Sequence, residues 1–199
     1  MRLFKALEQS LPLLFWALLL FGFDTPYFAM CTLISAAVHE LGHMLAFYFL
    51  NIGSSNPAAH MSGLRIHPSR ALSFREDAIV SLGGPLANLI FSLISLALYP
   101  FFGDYFAMLA LFGVMTMLSN LAPIEGYDGY RLILALTADR FPYFERILGR
   151  ISFTISVTLS ILSLYLIDKL GTGYWIFGIF FAGTLSFIAK SQRRAFFEN

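Results

Sequence analysis

Long apolar runs separated by short polar segments dominate the chain, and six of them approach the roughly 20 residues that a helix needs to cross a bilayer. The runs span residues 3–23, 26–50, 78–102, 105–122, 151–167 and 174–189. Between residues 51 and 77 the pattern is polar, and residues 60–67 partly show the period of two that is typical of strands. We therefore predict an all-α polytopic membrane protein of about six transmembrane helices, with a short β-hairpin or strand element in the loop after the second helix.

The composition supports a membrane environment. Hydrophobic residues make up 58% of the 199 residues and charged residues only 13%, more apolar surface than a soluble domain of this length buries. Cys31 is the only cysteine, which excludes an internal disulfide and a cysteine-rich metal cage. Without an internal repeat or a Gly/Ser linker, we expect one domain over residues 1–199, with a core at about 26–137 and accessory helices at 1–25 and 150–190.

The basic residues indicate the orientation. If the N-terminus is cytoplasmic, twelve of the thirteen lysines and arginines lie in cytoplasmic segments, and only Lys169 lies outside. The positive-inside rule therefore favours cytoplasmic N- and C-termini, with the segments near Asp24, Asp104 and Lys169 facing outward. The basic residues are dispersed and adjoin apolar spans, which argues against a nucleic-acid partner.

The second apolar run contains the sequence His-Glu-Leu-Gly-His at residues 39–43. Histidines four residues apart on a helix lie about 40° apart around its axis, so His39 and His43 can reach one zinc ion. Glu40 lies at the flank of that ion, where a carboxylate can take a proton from water activated by the metal. His43 precedes Leu50, the end of the run, by about 10 Å of helix, which places the metal below the membrane surface and nearer the cytoplasm.

A catalytic zinc site generally has a third protein ligand. The fourth apolar run ends in a turn that contains Glu125 and Asp128, and spacing alone does not decide between these two carboxylates. His60 and His67 also invite a metal interpretation, but nothing fixes them on one face with the first pair. We interpret them as ordinary loop histidines.

The third apolar run contains Gly83 followed by Gly84-Pro85-Leu86-Ala87-Asn88, and two glycines with a proline suggest a bent helix entry or a close backbone approach. A break of this kind survives at membrane depth only where protein or water satisfies the freed backbone groups. The residues alone leave open whether the Asn88 amide binds a substrate carbonyl or links helices.

Taken together, three ordered motifs resemble those of the site-2 protease family of intramembrane zinc metalloproteases. They are the His-Glu-x-x-His block at 39–43, the Gly-Pro-x-x-Asn block at 84–88, and Asn120 through Pro123 to Asp128-Gly129. Where the family usually has Pro-Leu before Asp-Gly, this sequence has Gly126-Tyr127. The resemblance covers about residues 26–137. It implies a zinc ion held by His39, His43 and Asp128, with Glu40 as general base and with Asn88 and Asn120 as substrate-binding residues.

The six-span plan without an inserted PDZ domain is similar to the compact branch that includes the sporulation sigma-factor processing proteases. This resemblance implies a bacterial plasma membrane. The expected activity is hydrolysis of a peptide bond in or near the transmembrane segment of a membrane-bound protein, with a regulatory membrane partner as a further expectation. The alternatives are a catalytically silent partner-binding protein and a metal-ion transporter. A silent member would be expected to lose Glu40 or a ligand, and a transporter more often shows repeat symmetry between its halves.

Overall fold

The computed structural model describes residues 25–53, 58–60, 63–65, 68–137, 143–170 and 174–197. The predicted first span, residues 3–23, lies outside these ranges. The described helices are α1 (Pro26–Phe49), α2 (Phe74–Phe102), α3 (Asp104–Leu121), α4 (Asp128–Thr137), α5 (Phe144–Leu170) and α6 (Tyr174–Phe197). Two short strands, β1 (Ala58–His60) and β2 (Gly63–Arg65), lie between α1 and α2.

Four of the described helices, α1, α2, α3 and α5, are long and apolar enough to cross a membrane. The chain is therefore an integral membrane protein, and the number of six spans stays a prediction. Strands β1 and β2 pair antiparallel, with Ala59 opposite Leu64. Residues 61 and 62, which connect them, lie outside the described ranges, so the hairpin also stays a prediction.

Helices α1, α2 and α3 pack against one another and form the core. The backbones of α1 and α2 approach closely at a pair of glycines, because a Cβ on Gly83 would lie only 2.7 Å from the Gly42 carbonyl oxygen. Helix α3 is joined to α1 by Ser35, whose hydroxyl donates to Thr116 Oγ1 at 2.8 Å. A buried apolar cluster also joins α1 and α3, with Ala29, Cys31, Leu109 and Phe112 as its members.

Helix α2 begins four residues before the apolar run that predicted it. Ser73 caps its first turn and Glu76 completes a capping box, since each side chain bonds the backbone N–H of the other residue. Arg70 pairs with Glu76 at 2.6 Å. The start of this helix is therefore set by polar end contacts, which an apolar pattern does not report.

Helices α5 and α6 form a pair beside the core. Ser156 of α5 links them, because its hydroxyl lies 2.9 Å from Thr184 Oγ1 of α6. Gly183 of α6 lies against Ile124, which is fully buried in the loop between α3 and α4. This pair thus packs onto the loop that leads to Asp128.

Candidate metal centre

Three side chains that can ligate a metal converge inside the protein. The Nε2 atoms of His39 and His43 lie 3.1 Å apart, and Asp128 Oδ2 lies 2.9 Å from the first and 3.1 Å from the second. All three residues are buried, with between 5% and 8% of their surface exposed. Asp128 is 85 residues from His43 in the sequence, so folding alone assembles this triangle.

The elements that carry the ligands are held by local packing. Both histidines lie on the buried face of α1 with Ser35, Gly42 and Ala46. Asp128 is the first residue of α4, and the following glycine lets that helix end approach α3. A Cβ on Gly129 would collide with the carbonyl group of Leu121. Asp128 therefore supplies the ligand, and Gly129 allows the close contact between the start of α4 and the end of α3.

A hydrogen bond to the backbone determines which ring nitrogen of His43 can bind a metal. His43 Nδ1 lies 2.8 Å from the carbonyl oxygen of Val80, and a carbonyl only accepts, so Nδ1 carries the hydrogen and donates it. The lone pair of neutral His43 is then on Nε2, the atom that faces His39 and Asp128. Such an outer hydrogen bond fixes the tautomer and orientation of a metal-ligating histidine.

A cation fits this arrangement. The His43 Nε2 lone pair and the Asp128 carboxylate are both acceptors, and they face each other across 3.1 Å; a positive charge between them turns repulsion into attraction. Donor atoms at about 2.0–2.1 Å from a tetrahedral zinc lie about 3.3 Å apart. The observed separations of 2.9–3.1 Å differ from that value by a few tenths of an ångström. Two imidazoles and one carboxylate are also a ligand set of catalytic zinc sites.

Space for an ion next to the two rings depends on Gly84 of α2. A Cβ there would lie 2.5 Å from His43 Nε2 and 2.7 Å from His39 Nε2, so any other residue would fill the region where the two nitrogens converge. Among the described residues, this is the group of histidine and acidic side chains that can hold a metal.

Comparisons with known proteins were made by sequence and by structure. No protein-family model and no curated protein matches the sequence. The structure, however, is similar to that of the site-2 protease from Methanocaldococcus jannaschii, with a TM-score of 0.64 over 91% of this chain and 88% of that chain. The chain has the fold of a site-2 protease. The sequence identity is 17%, so the likeness confirms at the level of the fold the resemblance that the three motifs indicate.

Within the site-2 protease fold, the two candidate carboxylates of the turn lie differently. Asp128 faces the two histidines, whereas the metal-capable group does not include Glu125. The backbone N–H of Glu125 donates to the hydroxyl of Ser152 on α5 at 2.6 Å. A hydrogen bond at Glu125 therefore holds the loop against α5. Asp128 follows three residues later and lies beside the two histidines.

The other predicted site residues surround this group. Glu40 follows His39 on α1, is partly exposed, and lies within electrostatic range of His43. Asn88 is buried beside His39. The Asn120 amide donates to the Thr116 carbonyl oxygen of its own helix at 2.9 Å. His60 is described only in its backbone and His67 lies outside the described residues, so their assignment as loop histidines stays a prediction.

Two contributors to the site, Val80 and Ser152, are absent from the sequence prediction, and the role of a third, Gly84, is not predicted. The Val80 contact uses a backbone carbonyl, which any residue could provide and no side-chain pattern marks. The sequence indicates a bend or a close backbone approach at Gly84, but the closeness of this residue to both imidazoles depends on how α1 and α2 cross. Ser152 is one of several serines along α5, and nothing local distinguishes it from the others.

Proposed function

We propose that this protein is an intramembrane zinc metalloprotease that hydrolyses a peptide bond in or near the transmembrane segment of a membrane-embedded protein. The observation that carries this proposal is the convergence of His39, His43 and Asp128 beside Glu40 in a protein whose helices can cross a membrane. The fold shared with a site-2 protease supports it.

Each residue has a distinct role in this proposal. His39, His43 and Asp128 would hold zinc, which supplies a Lewis acid that activates water and polarises a carbonyl group. Glu40 accepts a proton from the attacking water and delivers it to the leaving amine nitrogen. Val80 and Gly84 keep the imidazoles in place and leave room beside them.

A transmembrane substrate must expose its backbone before it can react at this buried site. A transmembrane substrate is helical, and its backbone carbonyls are engaged in hydrogen bonds until the helix unwinds locally. Within the polar loop at about residues 57–67, the paired strands β1 and β2 offer an edge that can pair with an extended segment. We further propose cytoplasmic termini, a bacterial plasma membrane, and Asn120 as a residue that contacts substrate, with a membrane partner that controls access.

The test compares two carboxylates with different roles. Asp128→Ala removes a ligand, so bound zinc and hydrolysis of a single-span reporter protein should fall together. Glu40→Gln keeps the shape of the side chain but cannot accept the proton, so hydrolysis should be lost while zinc stays near one per chain. Glu125→Ala is the matched control in the same turn, and it should keep zinc.

Three results would contradict the proposal. Substantial cleavage by Glu40→Gln would rule out its role in proton transfer even with zinc present. Loss of zinc in Glu125→Ala, but not in Asp128→Ala, would reassign the third ligand. Wild-type protein that binds zinc and cleaves none of a panel of single-span substrates would favour a partner-binding or transport role instead.

A further inference from the structure

Asn88 lies on the side of His39 that faces away from the other two ligands. It is 0% exposed, and its side-chain nitrogen Nδ2 lies 3.3 Å from His39 Nδ1. Its Oδ1 atom is buried and has no hydrogen-bond partner in the described part of the chain. A buried amide oxygen without a donor is costly, so the orientation of this amide needs an explanation.

The explanation follows from the protonation of His39. Its Nε2 atom faces His43 Nε2 and Asp128 Oδ2, so a metal there requires the lone pair of His39 on Nε2. The hydrogen of the neutral ring is then on Nδ1, which can only donate. An amide NH₂ group also only donates, and two donors do not bond.

A half-turn of the Asn88 amide about its last bond exchanges oxygen and nitrogen without changing its shape. The oxygen then accepts the hydrogen bond from His39 Nδ1. One rotation therefore gives both the histidine N–H and the orphaned oxygen a partner.

The two histidines then receive matching support from one helix. Val80 accepts from His43, Gly84 leaves space beside both rings, and Asn88 accepts from His39. These residues follow at intervals of four along α2, so they lie on one face of that helix. One face of α2 thus fixes both imidazoles.

We propose that Asn88 is a positioning residue for His39, and that its side-chain oxygen selects the ring tautomer that presents Nε2 to the metal. This inference rests on the proposed metal site and replaces substrate binding as the role of Asn88. The inference specifies the direction of the hydrogen bond, because residue 88 must accept from His39 and not donate to it.

The experiment measures metal binding by the purified full-length protein in detergent. Metal-free protein is titrated with Co²⁺, whose visible spectrum reports coordination, and then with Zn²⁺ in competition. Asn88→Leu keeps the size but removes every polar atom. Asn88→Asp keeps the shape and offers only acceptors. Ser92→Ala is the matched control one turn along α2, since its hydroxyl donates to the Asn88 backbone carbonyl and leaves the side-chain amide untouched.

We expect Asn88→Leu to lower the affinity for both metals about 10- to 100-fold, the usual effect of losing an outer partner of a ligating histidine. Asn88→Asp should restore affinity to the wild-type level or above, with the wild-type Co²⁺ spectrum. Ser92→Ala should match wild type. A merely structural role for Asn88 does not predict rescue by a charged residue in a buried position.

Two results would overturn the inference. Wild-type affinity in Asn88→Leu would show that the contact is dispensable. Affinity in Asn88→Asp well below that of wild type would show that an acceptor beside His39 Nδ1 does not support the tautomer that binds the metal. Asn88→Asp keeps the shape of the native side chain. Comparing its metal affinity with that of wild type therefore tests the inference even if Asn88→Leu fails to fold. Wild-type protein that binds neither metal would refute the proposed function itself, a distinct outcome in the same titration.

Discussion

Gly84→Ala is the most direct test of the space at the metal centre. The added Cβ would lie 2.5 Å from His43 Nε2, and an ordinary contact begins at 3.4 Å, so relief of the clash needs a movement of 0.9 Å. Even the tightest contact that real Cβ atoms make, 3.0 Å, needs 0.5 Å. Zinc–nitrogen distances vary by only about 0.2 Å. The histidines therefore cannot both accommodate the methyl group and keep a zinc ion.

We expect Gly84→Ala to lower zinc affinity about 100-fold or more, because it displaces ligands, whereas loss of an outer hydrogen bond costs about 10- to 100-fold. Helix formation should not suffer, since alanine favours a helix over glycine by about 1 kcal/mol. The assay is competitive zinc titration of purified protein, with thermal unfolding of the metal-free form measured in parallel.

Two other glycines provide controls for this prediction. Gly149→Ala places a Cβ 3.5 Å from Phe187 Cε2, an ordinary contact, and should leave zinc affinity unchanged. Gly83→Ala would press on Gly42 and Ala46 and should destabilise even the metal-free protein. Wild-type zinc affinity in Gly84→Ala would refute the reasoning, and so would equal losses in Gly84→Ala and Gly149→Ala.

Three further predictions concern orientation, cleavage and the loop before Asp128. Arg70→Cys, with Cys31→Ala so that position 70 carries the single thiol, should resist an impermeant thiol reagent in intact cells and react after lysis. Labelling from outside would reverse the topology. Mass spectrometry of the products should place the cut in the cytoplasmic third of the substrate span, and a cut near the outer leaflet would contradict the depth of His43. Ser152→Ala removes the hydroxyl that accepts the Glu125 N–H and should lower the free energy of unfolding by about 1 kcal/mol. Ser163→Ala, which removes only a bond within α5, should have a smaller effect on thermal unfolding, and equal effects would contradict the argument.

The apolar pattern predicts best those helices whose ends are marked by proline or glycine. The run at 26–50 corresponds to α1, and the run at 105–122 corresponds to α3 to within a residue at each end. The run at 151–167 underestimates α5, which begins at Phe144, because its first turns contain Glu145, Arg146 and Arg150 and extend beyond the apolar stretch. Helix α4 is ten residues long, too short to be recognised as a span.

The three proposed ligands show how much of the metal site sequence spacing can predict. His39 and His43 are related by helical geometry alone, so the sequence predicts that they share a face. The third ligand depends on how α3, the following turn and α4 return to α1, and spacing therefore leaves Glu125 and Asp128 as alternatives. The structure separates them because the backbone at Glu125 is fastened to Ser152, while Asp128 begins a helix that packs against α2.

Gly126-Tyr127, at the place where the resemblance to site-2 proteases implies Pro-Leu, forms the turn before Asp128. Gly126 has φ +101°, a backbone conformation that side chains disfavour and that proline, fixed near −65°, cannot adopt. The Tyr127 N–H donates to the Ile124 carbonyl oxygen at 3.0 Å, and the tyrosine is 4% exposed, with its ring close to Gly183 of α6. Gly126 thus allows the chain to turn, and the buried ring of Tyr127 packs against α6. The position of Asp128 at the start of α4 therefore depends on packing against α6 as well as on the Asp-Gly sequence.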